Sequence, residues 1–252
     1  MKSIFITVRS DSTRLPNKSF IEICGKKTIE ILIDRIKKSK KKDNVILCTS
    51  TRTVDDQLCE IAKKNEINFY RGSLEDKLDR WNNACKHYDV DFFVTADGDD
   101  LFCEPSLIDL AFEQYENDPT IDFIKADNVI CGAFTYGIKA AALEKVCQIK
   151  NTSNTEMMWV YFTDTGLFKI QQLNGVKESF YRNDIRMTLD YEDDYRFFHR
   201  VLSHFEEKGN KNFDLQDIVE LIDAYPDIAD INIQLQEVWK KNQEKNIKLI
   251  LK

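Results

Sequence analysis

The chain opens on Met1-Lys2-Ser3-Ile4-Phe5-Ile6-Thr7-Val8 and passes directly into Arg9-Ser10-Asp11-Ser12-Thr13-Arg14-Leu15-Pro16-Asn17-Lys18. In the first stretch Ile4, Phe5, Ile6 and Val8 form one short apolar run, which reads as a buried strand. The second is polar and basic, so it belongs in a loop just past that strand. The same plan then repeats. Residues 28–40 have helical apolar spacing at Ile29, Leu32, Ile33 and Ile36 and end in a basic cluster that suits a helix C-terminus. Residues 45–49 read as a strand, 54–64 as a helix, 67–70 as a strand and 74–87 as a helix with Leu78, Trp81 and Cys85 on one stripe. A fourth strand, 90–95, leads into Asp97-Gly98-Asp99-Asp100, and a helix over 105–115 precedes another strand at 121–125. Strands alternating with helices imply a largely parallel sheet covered on both faces. In open sheets of this kind ligands bind beyond the carboxyl ends of strands, at the point where strand order reverses. Both polar loops stand at such ends.

The second half is less periodic. Residues 156–162 are aromatic and apolar and read as core or as a contact between copies, while 186–189 read as a strand leading to Asp190. Residues 195–207 read as a helix, and 214–252 as a helical tail with Leu215, Ile218, Val219 and Ile222, then Ile233, Leu235 and Val238, in register. With no repeat or low-complexity linker, the expectation is one domain over 1–252.

The 252 residues carry 43 acidic against 36 basic side chains, a net charge of −7, which gives nucleic acid or anionic lipid no global attraction. Any phosphate site must be a local pocket. No apolar run approaches the roughly 20 residues of a membrane span. Seven cysteines form no C-x-x-C pair and sit mostly in apolar contexts, so they read as reduced core residues of a soluble cytoplasmic protein.

The basic loop offers Arg9, Arg14 and Lys18 with the hydroxyls of Ser12 and Thr13, and Pro16 stiffens it. Forked guanidinium donors, an ammonium and hydroxyls are what a polyphosphate requires; a solvated turn would have the same composition. It is not a P-loop, because Phe20 stands where the first glycine before Gly25-Lys26 would be. The Asp97–Asp100 stretch suits Mg²⁺, which takes one or two carboxylates plus phosphate oxygens and water. An acidic helix entry would look alike, and an EF-hand is excluded by Ile108 at the twelfth position. Arg71-Gly72-Ser73 joins a strand to a helix, with Ser73 and Asp76 spaced as a capping box. Asp190 could equally cap the helix that follows it. The three histidines show no ligand spacing.

Together these segments resemble the cytidylyltransferase family of CMP-Kdo synthetases, CMP-sialic acid synthetases and spore-coat polysaccharide nucleotidyltransferases. Residues 9–18 look like its signature A-R-x-x-S-T-R-L-P-G-K, and Arg71-Gly72-Ser73 with Asp76, Leu78, Asp79 and Arg80 is similar to R-G-S-x-x-D-V-L-D-R. Gly98-Asp99 with Pro105 resembles G-D-x-P-L-I-D-P, and Leu189-Asp190 with Glu192, Asp193, Asp194 and Tyr195 resembles V-D-T-P-E-D-Y/L. Asn17 departs from the usual glycine, Asp100 and Leu101-Phe102 from the usual C/E-P-L, and residues 127–155 are shorter than the family's acceptor-shaping segment.

The resemblance implies a three-layer α/β/α, Rossmann-like nucleotide-diphospho-sugar transferase fold with a mixed, mostly parallel sheet. Residues 1–130 would bind nucleotide, and 131–252 would complete the acceptor pocket. Arg14, Lys18, Asp99 and Asp190 would be catalytic, with Mg²⁺ on Asp99 and Asp190. Arg9, Ser12, Thr13, Arg14, Lys18, Arg71, Ser73 and Asp97 would bind nucleotide. The implied reaction transfers CMP from CTP to a sugar acid or related surface-polysaccharide precursor, without nucleic acid or membrane as partner. Since members of the family are often dimers, a homodimer is part of the same expectation. Two other readings stay open: a metal-dependent glycosyltransferase using Asp97-Gly98-Asp99, and a nucleotide-binding relative without turnover.

Overall fold

In the computed structural model, residues 1–12 and 14–252 are described, with 244–246 by backbone alone. The strands are β1 (Lys2–Thr7), β2 (Glu22–Ile23), β3 (Lys26–Lys27), β4 (Asn44–Ser50), β5 (Asn68–Gly72), β6 (Phe92–Asp97), β7 (Phe123–Lys125), β8 (Tyr136–Lys139) and β9 (Ile170–Gln172). The helices are α1 (Thr28–Ile36), α2 (Asp56–Lys64), α3 (Lys77–Tyr88), α4 (Pro105–Asn117), α5 (Ala140–Ile149), α6 (Val160–Thr163), α7 (Glu192–Glu207), α8 (Leu215–Ala224), α9 (Asp227–Asp230) and α10 (Leu235–Asn246).

Seven strands form one sheet in the order β5-β4-β1-β6-β8-β7-β9, and β2 pairs with β3 in a small hairpin. Only β8 runs against its neighbours, pairing antiparallel with both β6 and β7, so the sheet is mixed and mostly parallel as expected. Its register places Ile4 beside Val45 and Val94, and Phe5 beside Ile46 and Thr95. Successive residues face opposite sides. Ile4 and Ile6 therefore join the layer that includes Leu32 of α1, Leu58 of α2, Phe112 of α4 and Phe197 of α7. Phe5 joins Trp81 of α3, Leu143 of α5 and Phe162 of α6 on the other face. Burial on both faces is why β1 reads as an unbroken apolar run.

The chain moves outward from β1 to β4 and β5, then crosses to place β6 on the other side of β1. Strand order thus reverses between β1 and β6, whose following loops are the basic and acidic loops. Asn17 has φ +57°, so the asparagine that replaces glycine adopts the left-handed conformation it tolerates better than most residues.

Three expectations need correction. Residues 186–189 are not a strand: their pairing is an isolated bridge from Arg186 to Cys131 and one bond from Leu189 N–H to the Asp99 carbonyl at 2.9 Å. The helix expected from residue 74 begins at Lys77, because Asp76 is the residue that accepts the Asp79 N–H as its cap. Ser73 sits one turn earlier, its hydroxyl accepting from the Asp76 N–H at 3.1 Å. The tail breaks at Pro226, which bars the preceding residue from helical geometry. It ends in an extended segment whose Leu251 bridges Lys150, and Val238 is exposed.

A buried ion pair ties this frame together. The Glu104 carboxylate accepts from Arg35 of α1 at 2.9 Å, from the Leu215 N–H at 3.0 Å, and from both Ser106 groups at the start of α4. Truncating one partner strands the other charge in the core. Glu104→Ala should therefore lower unfolding stability by about 3–5 kcal/mol in urea titration; a change under about 1 kcal/mol would contradict it.

Candidate active site

The loops after β1 and β6 open into one cavity of about 750 Å³, a size that suits a nucleotide with part of a second substrate. Arg9, Ser12, Arg14 and Lys18 line it from the first loop, and Asp97, Asp99 and Asp100 from the second. Thr13 lies outside the described residues. The basic loop is fastened at its start, where the Ser10 N–H donates to buried Asp55 at 2.7 Å. Farther on, the Lys18 carbonyl accepts from the Thr28 hydroxyl at the first residue of α1. Gly98 is packed so closely on Val8 that an added Cβ would come within 2.7 Å of it. The two loops are thus held against each other.

At their meeting point Lys18 Nζ donates to Asp99 Oδ2 at 2.6 Å and to Asp190 Oδ1 at 2.8 Å. Arg14 donates to the same Asp190 oxygen at 2.6 Å. Asp190 does not cap α7 with its side chain. Asp194 does that work, accepting from the N–H groups of Asp190 and Tyr191, each at 2.9 Å. Asp194 is itself held by Arg186 at 2.9 Å and by Asn232 at 2.8 Å, all three fully buried. Because this network satisfies the helix start, the Asp190 carboxylate is left for the cations of the cavity.

The electrostatics follow from burial and charge. Burial alone would lower the Lys18 ammonium, but Asp99 and Asp190 outweigh it and hold the group above its ordinary value. Burial alone would raise Asp190, yet Lys18 and Arg14 bring its carboxyl below the usual range. Burial lifts Asp100 well above that range, and the charges of Asp99 and Asp97 add to the effect. Burial also raises Asp97, opposed by Lys77 at 3.5 Å.

A depressed carboxyl contributes stability that is present at neutral pH and lost as pH falls through its folded value, below the unfolded value of about 3.9. Asp190→Asn should accordingly lose less stability than the wild type between about pH 4 and pH 2, followed by circular dichroism. Coincident acid profiles would show that this carboxylate gains nothing from its cations.

The donor set fits a hard divalent cation. Asp99 and Asp190 share one ammonium, and Asp190 Oδ2 is buried without a hydrogen-bond partner, with an Arg186 nitrogen 3.6 Å away. Among the described residues no group of three or more His, Cys, Asp or Glu side chains is gathered for a metal. Two carboxylates with phosphate oxygens and water are the usual coordination of Mg²⁺.

Arg71 and Ser73 are not brought to the cavity. Arg71 is turned to the carbonyls of Ser50 and Arg52 at 3.0 and 2.8 Å and to Asp56 at 2.7 Å, where it fastens the end of β4. Other lining residues were not expected at the site from the sequence. Glu156 accepts from Arg9 at 3.1 Å, and Lys77 and Trp81 of α3 line the cavity with Trp159. The segment between β7 and β8, including Asn128 and Phe134, forms another wall, and Gln236, Trp239, Asn242 and Gln243 of α10 a further one. No pattern marked Glu156. The α10 residues share a face by their spacing of three and seven, which a search for polar rather than apolar periodicity would find.

Comparison with known proteins bears on the fold and the family. The chain is 32% identical over 234 residues to an uncharacterised protein of Methanocaldococcus jannaschii, covering 92% of this chain and 94% of that one. It is 23% identical over 231 residues to the spore coat polysaccharide biosynthesis protein SpsF of Bacillus subtilis, covering 89% and 95%. Its fold superposes with a TM-score of 0.81 on a cytidylyltransferase from Leptospira borgpetersenii, at 27% identity over 90% of this chain and 96% of that one. The sequence model of the cytidylyltransferase family matches residues 4–218, and the chain belongs to that family.

Proposed function

We propose that this cytidylyltransferase moves CMP from CTP to a sugar acid or related surface-polysaccharide precursor, releasing pyrophosphate and a proton, with Mg²⁺ bound by Asp99 and Asp190. The observation that carries the reading is the Lys18 ammonium clamped between Asp99 and Asp190, at the meeting of two loops where strand order reverses. The acceptor oxygen forms a bond to the α-phosphorus as the bond to the β-phosphate oxygen breaks, so the protein has no covalent intermediate to make. Catalysis is positioning and charge stabilisation.

Arg9, Arg14 and Lys18, with Ser12, would be the donors for the triphosphate, and Lys18 would steady the departing pyrophosphate. Their number favours a triphosphate over the diphosphate of a nucleotide sugar, which needs fewer cations. Mg²⁺, when bound, supplies neutralisation of the charge that develops on the phosphate oxygens. Asp190, buried and locked by the Asp194 network, fixes one side of that site, and Asp99, on the loop after β6, fixes the other. The walls built from residues after 125 enclose the acceptor.

The test is product analysis. Incubation with CTP, Mg²⁺ and a panel of 2-keto sugar acids should release pyrophosphate and form a CMP conjugate. Release of a nucleoside diphosphate from a nucleotide sugar, with no pyrophosphate from CTP, would replace this reading with a glycosyltransferase.

A further inference from the structure

Helix α10 follows the segment matched by the family model, which ends at residue 218, yet it closes one wall of the cavity. Its Gln236, Trp239, Asn242 and Gln243 face inward, while Glu237, Val238, Lys240 and Lys241 are exposed. The helix is fastened beside the reacting centre. Gln236 accepts from Arg186 at 3.0 Å, the Arg186 guanidinium lies 5.7 Å from the Trp239 ring, and Asn242 meets the Tyr191 hydroxyl at 3.5 Å. Arg186 lies 3.6 Å from the Asp190 carboxylate and Tyr191 follows Asp190 directly, so this wall adjoins the reacting centre. Beyond the helix the chain is tied back, with Leu251 bridged to Lys150 and the Tyr161 hydroxyl donating to the Lys248 carbonyl at 3.3 Å.

Among the described residues the inward face carries no charged side chain. It therefore offers no cation to a triphosphate, whose cationic donors would come from the loop after β1. An indole ring can stack on the apolar face of a sugar, and primary amides both donate to and accept from hydroxyls. We propose that α10 is the acceptor-selecting wall, with Trp239 as the platform for the sugar ring and Gln243 and Gln236 as hydroxyl readers. The inference rests on the cytidylyltransferase reading of this cavity and adds to it the residues that choose the acceptor.

The experiment compares wild type, Trp239→Ala, Gln243→Ala and, on the exposed face, Lys240→Ala. CTP affinity is measured by calorimetry, and pyrophosphate release across the 2-keto sugar acid panel gives separate KM values for acceptor and CTP. Trp239→Ala should raise the acceptor KM about tenfold or more and leave CTP affinity within about twofold. Gln243→Ala should change the order of preference across the panel, and Lys240→Ala should change nothing. Unchanged acceptor KM in both inward variants would overturn the inference while leaving the function intact. A matching rise in the CTP KM would overturn it by assigning α10 to the donor. If wild type binds CTP but releases pyrophosphate with no sugar acid, the acceptor class itself is wrong and the inference falls with it. If CTP does not bind at all, the donor reading fails and the inference falls with it.

Discussion

Asp190→Asn should reduce turnover by about 10³-fold or more, with a folded protein and CTP binding reduced far less. Asparagine keeps the shape of the side chain, and the Asp190 N–H still donates to Asp194, so the start of α7 is undisturbed. What is lost is one negative charge, buried with less than a tenth of its side chain exposed, to which Arg14 and Lys18 both donate. Lys18 is then left with Asp99 alone, and a divalent cation would have one carboxylate instead of two. Asp99→Asn should give a loss of the same order, since it removes the other side of the clamp. Steady-state pyrophosphate release with Mg²⁺ varied through limiting concentrations checks both. Wild-type rates in either variant when Mg²⁺ is limiting would remove the metal assignment.

Gly132→Ala should cost more stability than alanine at any other glycine of this chain, about 3 kcal/mol or more. The reason is a close backbone approach. Gly132 has φ +85°, and a Cβ built on it would stand 2.0 Å from the Met187 carbonyl oxygen. Neighbouring Cys131 accepts the Met187 N–H at 2.9 Å and is bridged to Arg186. This contact fixes the segment that carries Asp190 against the wall after β7. A methyl group must push the two apart, and backbone cannot turn aside as a side chain can. Urea denaturation gives the cost directly. Gly166→Ala is the control, because that glycine has a similar φ of +67° with nothing within 4 Å of the added Cβ. Equal losses in the two variants would mean that φ strain alone accounts for the effect.

The parts of the fold that could be read from the sequence are those whose residues answer to one physical demand. Ile4, Phe5 and Ile6 had to be buried on both faces, and the run shows it. Arg14, Lys18 and Asp99 stood in polar loops directly after such runs, so their convergence on one cavity followed from parallel-sheet topology. Asp190 was harder, because its segment is buried like a strand but pairs at only two points. Arg71 was misplaced for a different reason. A long side chain at a strand end can reach either ligand or backbone, and here it takes the carbonyls of Ser50 and Arg52. The α10 wall was missed because apolar periodicity is the wrong signal for a face that meets a solvated cavity: Val238 carries the apolar mark and points outward, while the informative residues are amides.

The measurement that bears most directly on the central claim is a thermal-shift comparison of the four ribonucleoside triphosphates, each with and without Mg²⁺. A ligand present at a hundred times its Kd adds about 2.7 kcal/mol to the folded state, which is readily detected. CTP with Mg²⁺ should stabilise the protein well beyond ATP, GTP or UTP, and omitting the metal should diminish the shift. No response to any triphosphate, with stabilisation by a nucleoside-diphosphate sugar instead, would contradict that claim.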